Sequence, residues 1–169
     1  MKKAYSIIEL IIVIVVVGIM LGISVMNQNK EYEQVDQETR RFKHDLNYLK
    51  QLNLEQNFYL SNDTTWTSKS DCFVLDNSNQ YSLKNNGNLL SSLNNDGLLY
   101  VINTKSKIII KESDGTNINK ICFDNIGRPY KNNLKISNIL SNDLNITIST
   151  QDNEYKRELQ LIKTTGFLK

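Results

Sequence analysis

The sequence predicts an α+β protein in which a long N-terminal helix packs on an antiparallel β-sheet domain. Its 169 residues suit one globular domain beyond a helical anchor. Three features predict this fold: an apolar run over residues 11–26, an amphipathic segment without Pro or Gly over residues 28–56, and short β-type runs beyond residue 58. No internal repeat and no flexible interdomain linker is found in the sequence.

The apolar run begins beside a single carboxylate, Glu9, and follows the basic pair Lys2 and Lys3. About 20 apolar residues can span a bilayer, and the two lysines predict a cytoplasmic N-terminus with export of the rest. An ionised side chain at the bilayer centre costs roughly 2.5–3.5 kcal/mol on insertion scales. Glu9 is therefore predicted to be functional and to need a cationic partner, the best one being an α-amino group freed by cleavage just upstream. The alternative is a plain signal anchor, which does not explain Glu9.

Beyond the apolar run, apolar or small residues recur alternately four and three positions apart, as on one face of a helix. They are Val35, Thr39, Phe42, Leu46 and Leu49. The other sides of this helix are predicted to carry Lys43, Asp45, Asn47 and Lys50. One helix is predicted from about residue 6 to about residue 56, which at 1.5 Å per residue is roughly 75 Å long. Its first half is expected to be bare and its second half to lie against the domain.

The rest of the chain alternates short β-type runs with Asn, Asp and Gly, which indicate turns. The predicted strands are Cys72–Asp76, Gln80–Lys84, Leu98–Asn103, Lys107–Lys111, Lys120–Phe123, Leu144–Thr150 and Lys156–Lys163. Residues 152–154 are predicted to form the turn of a terminal hairpin. One antiparallel sheet, or two small ones, should pack on the apolar face of the helix.

The sequence contains two cysteines, Cys72 and Cys122. In an exported domain they could form a disulfide, and the alternative is two buried free thiols on separate strands. No ligand spacing indicates a metal or another cofactor. The single histidine, His44, is predicted to be a surface residue, and no catalytic set can be assembled, so we expect a protein that is not an enzyme. The net charge of +2, from 20 basic and 18 acidic residues, gives no general attraction to nucleic acid or membrane surfaces.

The N-terminus resembles the class III signal of type IV pilins and type II secretion pseudopilins. In that family a membrane peptidase cuts after a small residue that ends a short basic leader, and it methylates the new N-terminus. The fifth mature residue is Glu. The matching positions here are Ala4 before the cut, Tyr5 after it, Glu9 as the fifth mature residue, and Gly18 where the family often has Gly. The family usually has Gly at the position of Ala4, and many major pilins have Pro at that of Met26.

This resemblance implies a division of the chain into four parts. They are a leader (1–4), a transmembrane and filament-core helix (5–26), an amphipathic continuation of that helix (27–57) and a periplasmic β-rich domain (58–169). The implied location is the bacterial inner membrane, crossed once. The implied partners are the prepilin peptidase, inner-membrane lipid before assembly, an assembly platform with its ATPase, and other pilin-like subunits. In the filament Glu9 would pair with the amino group of Tyr5 on an adjacent subunit, and Gly18 and Gly22 would allow close packing of helices.

Three further segments resemble the H group of minor pseudopilins, which includes FimT-like minor pilins. They are Arg40–Asn53 of the helix, Ile121–Pro129, and Leu159–Phe167 near the C-terminus. The resemblance implies a minor pseudopilin of a type II secretion system. The alternatives are a minor pilin of a type IV pilus or DNA-uptake (competence) machine, and a membrane-anchored periplasmic binding domain that does not polymerise.

DNA binding is a further hypothesis, because some FimT-like minor pilins bind DNA through a basic C-terminal region. The residues considered for such contacts are Arg128, Lys131, Arg157 and Lys163. Acidic residues in the same region offset these charges, and no aromatic platform is evident beyond Tyr130 and Tyr155. A turn at residues 127–129 explains the local sequence equally well, since Gly permits positive φ and Pro keeps the preceding residue extended.

Overall fold

The computed structural model describes residues 7–55, 71–85, 88–91, 99–132 and 134–169. Within the helix it describes the side chains of residues 7–22 and 30–54. These parts of the chain form an α+β structure with antiparallel sheets, as the sequence predicts. The start of the predicted strand Leu98–Asn103 lies outside the described residues.

The helix, α1, runs without interruption over Ile7–Glu55, close to the predicted bounds. The face predicted to be apolar is buried, with Val35, Phe42, Leu46 and Leu49 no more than 1% exposed. Thr39 also belongs to this face, and its hydroxyl donates to the Val35 carbonyl 2.6 Å away, which satisfies it inside the helix. The second half of α1 is therefore the helical layer of the core.

Nine strands are described, each paired antiparallel. They are β1 (Asp71–Asn77), β2 (Gln80–Asn85), β3 (Asn88–Leu89), β4 (Val101–Asn103), β5 (Lys107–Glu112), β6 (Lys120–Phe123), β7 (Pro129–Lys131), β8 (Leu144–Ser149) and β9 (Lys156–Leu161). A single turn of 3-10 helix covers Ile136–Asn138. The larger sheet has the order β3-β2-β1-β6-β7, and β4 also pairs with β2; the smaller sheet has the order β5-β8-β9. The chain thus divides into two sheets that share one helix.

The strands predicted from the sequence correspond to seven of the observed ones, with ends that differ by a few residues. β4 begins at Val101, β8 ends at Ser149 and β9 ends at Leu161. The terminal hairpin is present as predicted, because β8 pairs with β9 across residues 150–155, where Asn153 has a φ of 62°. Two short strands were not predicted, β3 and β7, and each exists only by pairing with a longer neighbour.

Three aromatic rings join the helix to the larger sheet. Phe42 of α1 lies 5.2 Å from Phe73 of β1 and 5.7 Å from Tyr81 of β2, both in edge-to-face contact, and the last two rings are 5.1 Å apart. All three are at most 1% exposed. Such contacts add roughly 0.5–1.5 kcal/mol per pair beyond the burial of area. Alternate residues of the smaller sheet complete the core, among them Ile108, Ile110, Ile146, Ile148 and Leu161.

Asp45 was predicted to lie on a solvent-facing side of the helix, and that prediction is wrong. It is 2% exposed, and its two carboxylate oxygens accept hydrogen bonds of 2.6 Å from the hydroxyls of Tyr81 and Tyr100. Burial and the adjacent carboxylate raise the pKa of both hydroxyls above their ordinary value, so both remain protonated donors at physiological pH. A buried carboxylate is costly without such partners. The helix is therefore attached to the larger sheet in one rotational setting.

A second buried polar contact fixes the last turns of the helix. Asn53, fully buried, accepts a hydrogen bond from the backbone N–H of Asp71 and donates one to its carbonyl. This amide also donates to the carbonyl of Leu49. The side chain thus pairs with the backbone of the first residue of β1, as a neighbouring strand would. This contact fixes the position along the helix axis at which the larger sheet packs.

Cys72 of β1 and Cys122 of β6 form a disulfide, with an S–S distance of 2.08 Å. They are directly opposite each other in the antiparallel register. Both are buried, next to Tyr130 and Leu134, in a small cluster separate from the main core. Of the two alternatives left open by the sequence, a disulfide or two free thiols, the structure has the disulfide.

Replacing Tyr81 by Phe should lower the free energy of unfolding by about 1–3 kcal/mol, because it removes a donor from a buried carboxylate without creating a large cavity. The measurement is urea denaturation of the full-length chain in mild detergent, followed by circular dichroism. Tyr155→Phe is the matched control, since its hydroxyl bonds the more exposed Asp36 and should matter less. Equal effects of the two substitutions would contradict the special role given to Asp45.

Reducing the disulfide should also destabilise the domain. The bridge closes a loop of 50 residues, and a loop of that size contributes roughly 4 kcal/mol in the chain-entropy model. We expect a lower melting temperature in reductant for the parent protein, and no effect of reductant on the Cys72→Ser/Cys122→Ser variant. Identical mobility of the parent on reducing and non-reducing gels, with both thiols open to alkylation, would contradict the bridge.

Candidate functional site: the exposed apolar arm of the helix

None of the described residues covers the start of the helix, over residues 7–21. We call residues Ile7–Leu21 of α1 the apolar arm. Its large hydrophobic side chains are between 47% and 79% exposed. They are Ile7, Ile8, Leu10, Ile11, Ile12, Val13, Ile14, Val15, Val16, Val17, Ile19, Met20 and Leu21. Because scattered exposed hydrophobics are common but contiguous ones are not, an apolar surface of this size marks an interaction site.

The apolar arm is hydrophobic on every side. Three consecutive residues, Val15, Val16 and Val17, point in directions about 100° apart around the axis and are all exposed. A helix that is apolar all round is buried in a protein core or in a membrane. Burying a side chain of this kind is worth about 1.5–3 kcal/mol, so covering thirteen of them supplies on the order of 20 kcal/mol before the costs of association.

The composition of the apolar arm also shows that it needs such a cover. Ten of its thirteen large hydrophobic residues are Ile or Val, whose β-branched side chains lose rotamer freedom in a helix. Helical segments in water gain most of their stability from packing of an apolar face. The arm is therefore a helix that needs its hydrophobic side chains covered in order to be stable.

Among the described residues, no helix has both the length and the hydropathy needed to cross a membrane. The predicted span of residues 5–26 reaches beyond the described side chains at both ends, and it stays a prediction.

Glu9 is the acidic residue in the first turn of α1, between Ile8 and Leu10. The partial positive charge at a helix N-terminus stabilises an acid in this position, and Glu9 already takes part in an interaction within the chain. Its sequence context, with Ser6 three residues before it, also fits a capping box. Glu9 thus has a local role at the start of the helix, in addition to the role in assembly that the sequence predicts.

Of the other residues predicted to act in processing and assembly, the structure describes two and leaves two outside the described residues. Ala4 and Tyr5 lie outside the described residues. Gly18 and Gly22 lie on the helix, and apart from the helix itself no atom of the described residues lies within 4 Å of the position that a Cβ would occupy. The surface around both glycines is therefore open to another helix, and their predicted role in helix packing stays a prediction.

Two carboxylates hold the helix at the edge of the domain. Asp36 accepts hydrogen bonds from the guanidinium of Arg157 on β9, at 2.7 and 3.0 Å, and the Arg157 side chain holds the pKa of Asp36 below its ordinary value. Glu38 accepts from the backbone N–H groups of Lys105 and Ser106, at 3.0 and 2.9 Å. The two carboxylates join the helix to opposite edges of the smaller sheet, at the start of β5 and at β9, so the direction in which the apolar arm leaves the domain is fixed.

The basic residues considered for DNA contact all have partners in the chain. Arg128 bonds Asp124 at 2.7 Å and Lys131 bonds Glu112 at 3.1 Å, while Arg157 bonds Asp36 as described above. The ammonium of Lys163 donates to the carbonyl of Ser141 at 2.6 Å. Three of these four cations are therefore neutralised by carboxylates, and the fourth is bonded to a backbone carbonyl.

The fold and the arm define a class of protein: a β-rich domain fixed to a long helix that carries an exposed apolar half. Comparisons with protein-family models, with curated proteins and with solved structures found no match.

The attachment through Glu38 should depend on pH. Partial burial raises its pKa, but the hydrogen bonds from Ser106, Gln34 and Lys105 outweigh this and hold the pKa below the ordinary value of 4.5. Stability from a lowered pKa is present above the unfolded value and is lost as the pH falls through the folded one. We therefore expect the melting temperature to fall below about pH 4.5, and to fall less steeply in Glu38→Gln. Parallel curves for the two proteins over that range would contradict this role of Glu38.

Proposed function

We propose that this chain is a structural subunit of a filament, namely a minor pseudopilin of a type II secretion system. One observation carries the proposal: a single continuous helix, Ile7–Glu55, has an exposed apolar arm over residues 7–21 and is fastened to a β-rich domain along its second half. This arrangement suits a subunit whose arm lies in inner-membrane lipid before assembly and among the arms of other subunits afterwards. The domain then stays outside the bilayer in both states.

The change from lipid to protein surroundings costs the apolar arm little. Lipid tails are as apolar as Leu or Ile side chains, so the association of helices out of lipid has little hydrophobic driving force of its own. Packing and polar contacts have to select the correct neighbours. Gly18 and Gly22, whose surroundings are open, allow another helix to approach closely.

Glu9 is the polar group on the arm that could make this selection. A carboxylate left without a partner in apolar surroundings costs several kcal/mol. We propose that it pairs with the α-amino group of Tyr5 on a neighbouring subunit, after cleavage between Ala4 and Tyr5. The local interaction that Glu9 already makes does not compete with this, since a carboxylate has two oxygens and can accept several hydrogen bonds.

The disulfide supports the exported location that the proposal requires. Structural disulfides form in oxidising compartments such as the bacterial periplasm and are rare in the cytosol. The bridge joins β1 and β6 in the β-rich domain. The bridge thus supports the proposed location of the domain outside the inner membrane, and the lysines near the N-terminus support a leader on the inside.

The decisive experiment separates the two roles of Glu9. Glu9→Gln keeps a side chain of the same size that can bond the helix N-terminus, whereas Glu9→Val removes both charge and hydrogen bonding. We expect both variants to insert into the membrane but to be strongly depleted from sheared filament fractions, because the selecting charge is absent. Immunoblots of membrane and filament fractions provide the measurement.

One control variant and one deletion strain complete this experiment. A bulky residue in place of Ala4 should accumulate as the uncut precursor, which marks the size of unprocessed chain on the gel. Filament incorporation of Glu9→Gln at the parental level would show that Glu9 acts only as a helix-terminal residue. A deletion strain scored for protein secretion and for transformation then tests the secretion system against a pilus or DNA-uptake machine.

A further inference from the structure

The outer edge of strand β9 is only partly paired. In the antiparallel ladder with β8, alternate residues of β9 turn their N–H and C=O groups away from β8. Gln160 is one of these, and its N–H and that of Lys169 each donate to the other's carbonyl, at 3.3 and 3.0 Å. Glu158 and Lys156, two and four residues before Gln160, also turn their backbone groups outward, and no described residue bonds them there. The edge is therefore open from Lys156 to Glu158, and we call this part of β9 the open edge.

The chain closes the opposite edge of the same sheet. On β5 the N–H of Ile108 donates to the carbonyl of Ser78 at 2.7 Å, and that of Glu112 donates to the carbonyl of Thr116 at 3.0 Å. Both ends of that edge are thus bonded by the chain itself. Unbonded backbone groups at a sheet edge are a template on which another chain can add a strand. Of the two outer edges of the smaller sheet, β9 is the one with a length available for this.

A cleft of about 290 Å³ lies beside the open edge, between β9 and α1. Its charged lining residues are four cations and two acids. They are Arg40, Lys43, Arg157, Lys169, Asp36 and Glu158. Both acids are already paired, since Asp36 is bonded to Arg157 and Glu158 lies 2.8 Å from the ammonium of Lys156. Neither Arg40 nor Lys43 forms an ion pair with a described residue. The cleft therefore has surplus positive charge on its helical wall.

The pleat of β9 determines which side chain of an added strand enters this cleft. An antiparallel strand exchanges hydrogen bonds with Glu158 and Lys156, and the residue between these two positions lies opposite Arg157. Successive side chains of a strand point to opposite faces, so this central residue turns to the same face as Arg157, toward the helix. An acidic side chain at the central position therefore faces the cations of α1.

Charge also decides between a different protein and a second copy of this chain. Two open edges paired antiparallel about Arg157 would bring Arg40, Lys43 and Arg157 of both copies to one place, and like charges opposite each other on strands are destabilising. An acidic segment of a different protein has the complementary charge, which selects it over the second copy.

We propose that the open edge binds an extended, acidic segment of another protein as an additional strand, with an aspartate or glutamate of that segment in the cleft beside Arg40 and Lys43. In binding of this kind, main-chain hydrogen bonds provide affinity and pockets for alternate side chains provide specificity. Here the backbone of Lys156 and Glu158 supplies the first and the basic cleft supplies the second. The site lies on the domain and not on the apolar arm, so the inference goes beyond the proposed function and does not depend on it.

An NMR titration of the full-length chain in mild detergent tests the site with defined probes. The first probe is the blocked pentapeptide Thr-Val-Asp-Val-Thr, whose aspartate takes the central position. The second has lysine in place of aspartate, and the third carries N-methyl groups on both valines, which removes the two N–H groups that bond the open edge. We expect the first peptide to shift the amide signals of Lys156 and Glu158 and to slow their hydrogen exchange. The other two should bind at least tenfold more weakly.

Variants of the chain separate the backbone from the side chains. Glu158→Pro removes an N–H that points away from β8, so the ladder with β8 is retained, and Pro is tolerated on edge strands in this orientation. We expect at least a tenfold loss of binding to the aspartate peptide. Glu158→Ala keeps the N–H and is the matched control, which should bind as the parent does. The double variant Arg40→Glu/Lys43→Glu should reverse the preference in favour of the lysine peptide.

Several results would overturn the inference. They are equal binding of the aspartate and lysine peptides, shifts confined to other parts of the chain, no shifts at millimolar peptide, and binding by Glu158→Pro at the parental level. If the amides of Lys156 and Glu158 shift when the protein concentration alone is raised, a second copy takes the open edge, and the inference is overturned as well. None of these results bears on filament incorporation, which the Glu9 variants test separately.

Discussion

The buried contact of Asp45 with Tyr81 and Tyr100 is the constraint on which the rest of the structure depends. A helix held only by hydrophobic contacts can rotate or slide on a sheet at modest cost, whereas a buried carboxylate has to meet its donors in one position. Asn53 fixes the axial position of the helix near its C-terminal end, and Glu38 fixes it near the edge of the domain. Because α1 is continuous, the same contacts determine the direction of the apolar arm.

The apolar arm and the domain require different surroundings, and the continuous helix joins the two in one chain. The arm is stable only where its hydrophobic side chains are covered, while the domain keeps its own core and an ordinary polar surface. A plain membrane anchor also covers the arm, but it gives no role to a fixed attachment, since a tethered domain works equally well on a flexible linker. A rigid connection is useful when the position of one copy has to set the position of the next.

Periodic patterns in the sequence predicted the elements well, and single polar residues were where prediction failed. The buried face of α1 and the seven predicted strands follow from hydrophobic spacing, which depends on local sequence. Asp45 was assigned to solvent because the pattern records hydrophobicity and not the distant tyrosines that make its burial favourable. β3 and β7 contain two and three residues, too few to show a period. The sequence left two alternatives for the cysteines because the bond depends on β1 lying next to β6, a pairing between distant segments.

Of the candidate site, the exposed first part of the helix was predicted from the sequence. The intrachain partners of the basic residues were not predicted, since Arg157 and Asp36 are 121 positions apart.

The use of charge inside the domain bears on what kind of partner the chain can have. Cations that looked available for DNA in the sequence instead fasten one element to another: Arg157 joins β9 to the helix, and Lys131 joins β7 to β5. A phosphate backbone would have to displace these carboxylates, and each displacement leaves an acid behind without its partner. In the proposed function the free energy of partner binding therefore comes mainly from burial of the apolar arm, and not from these cations.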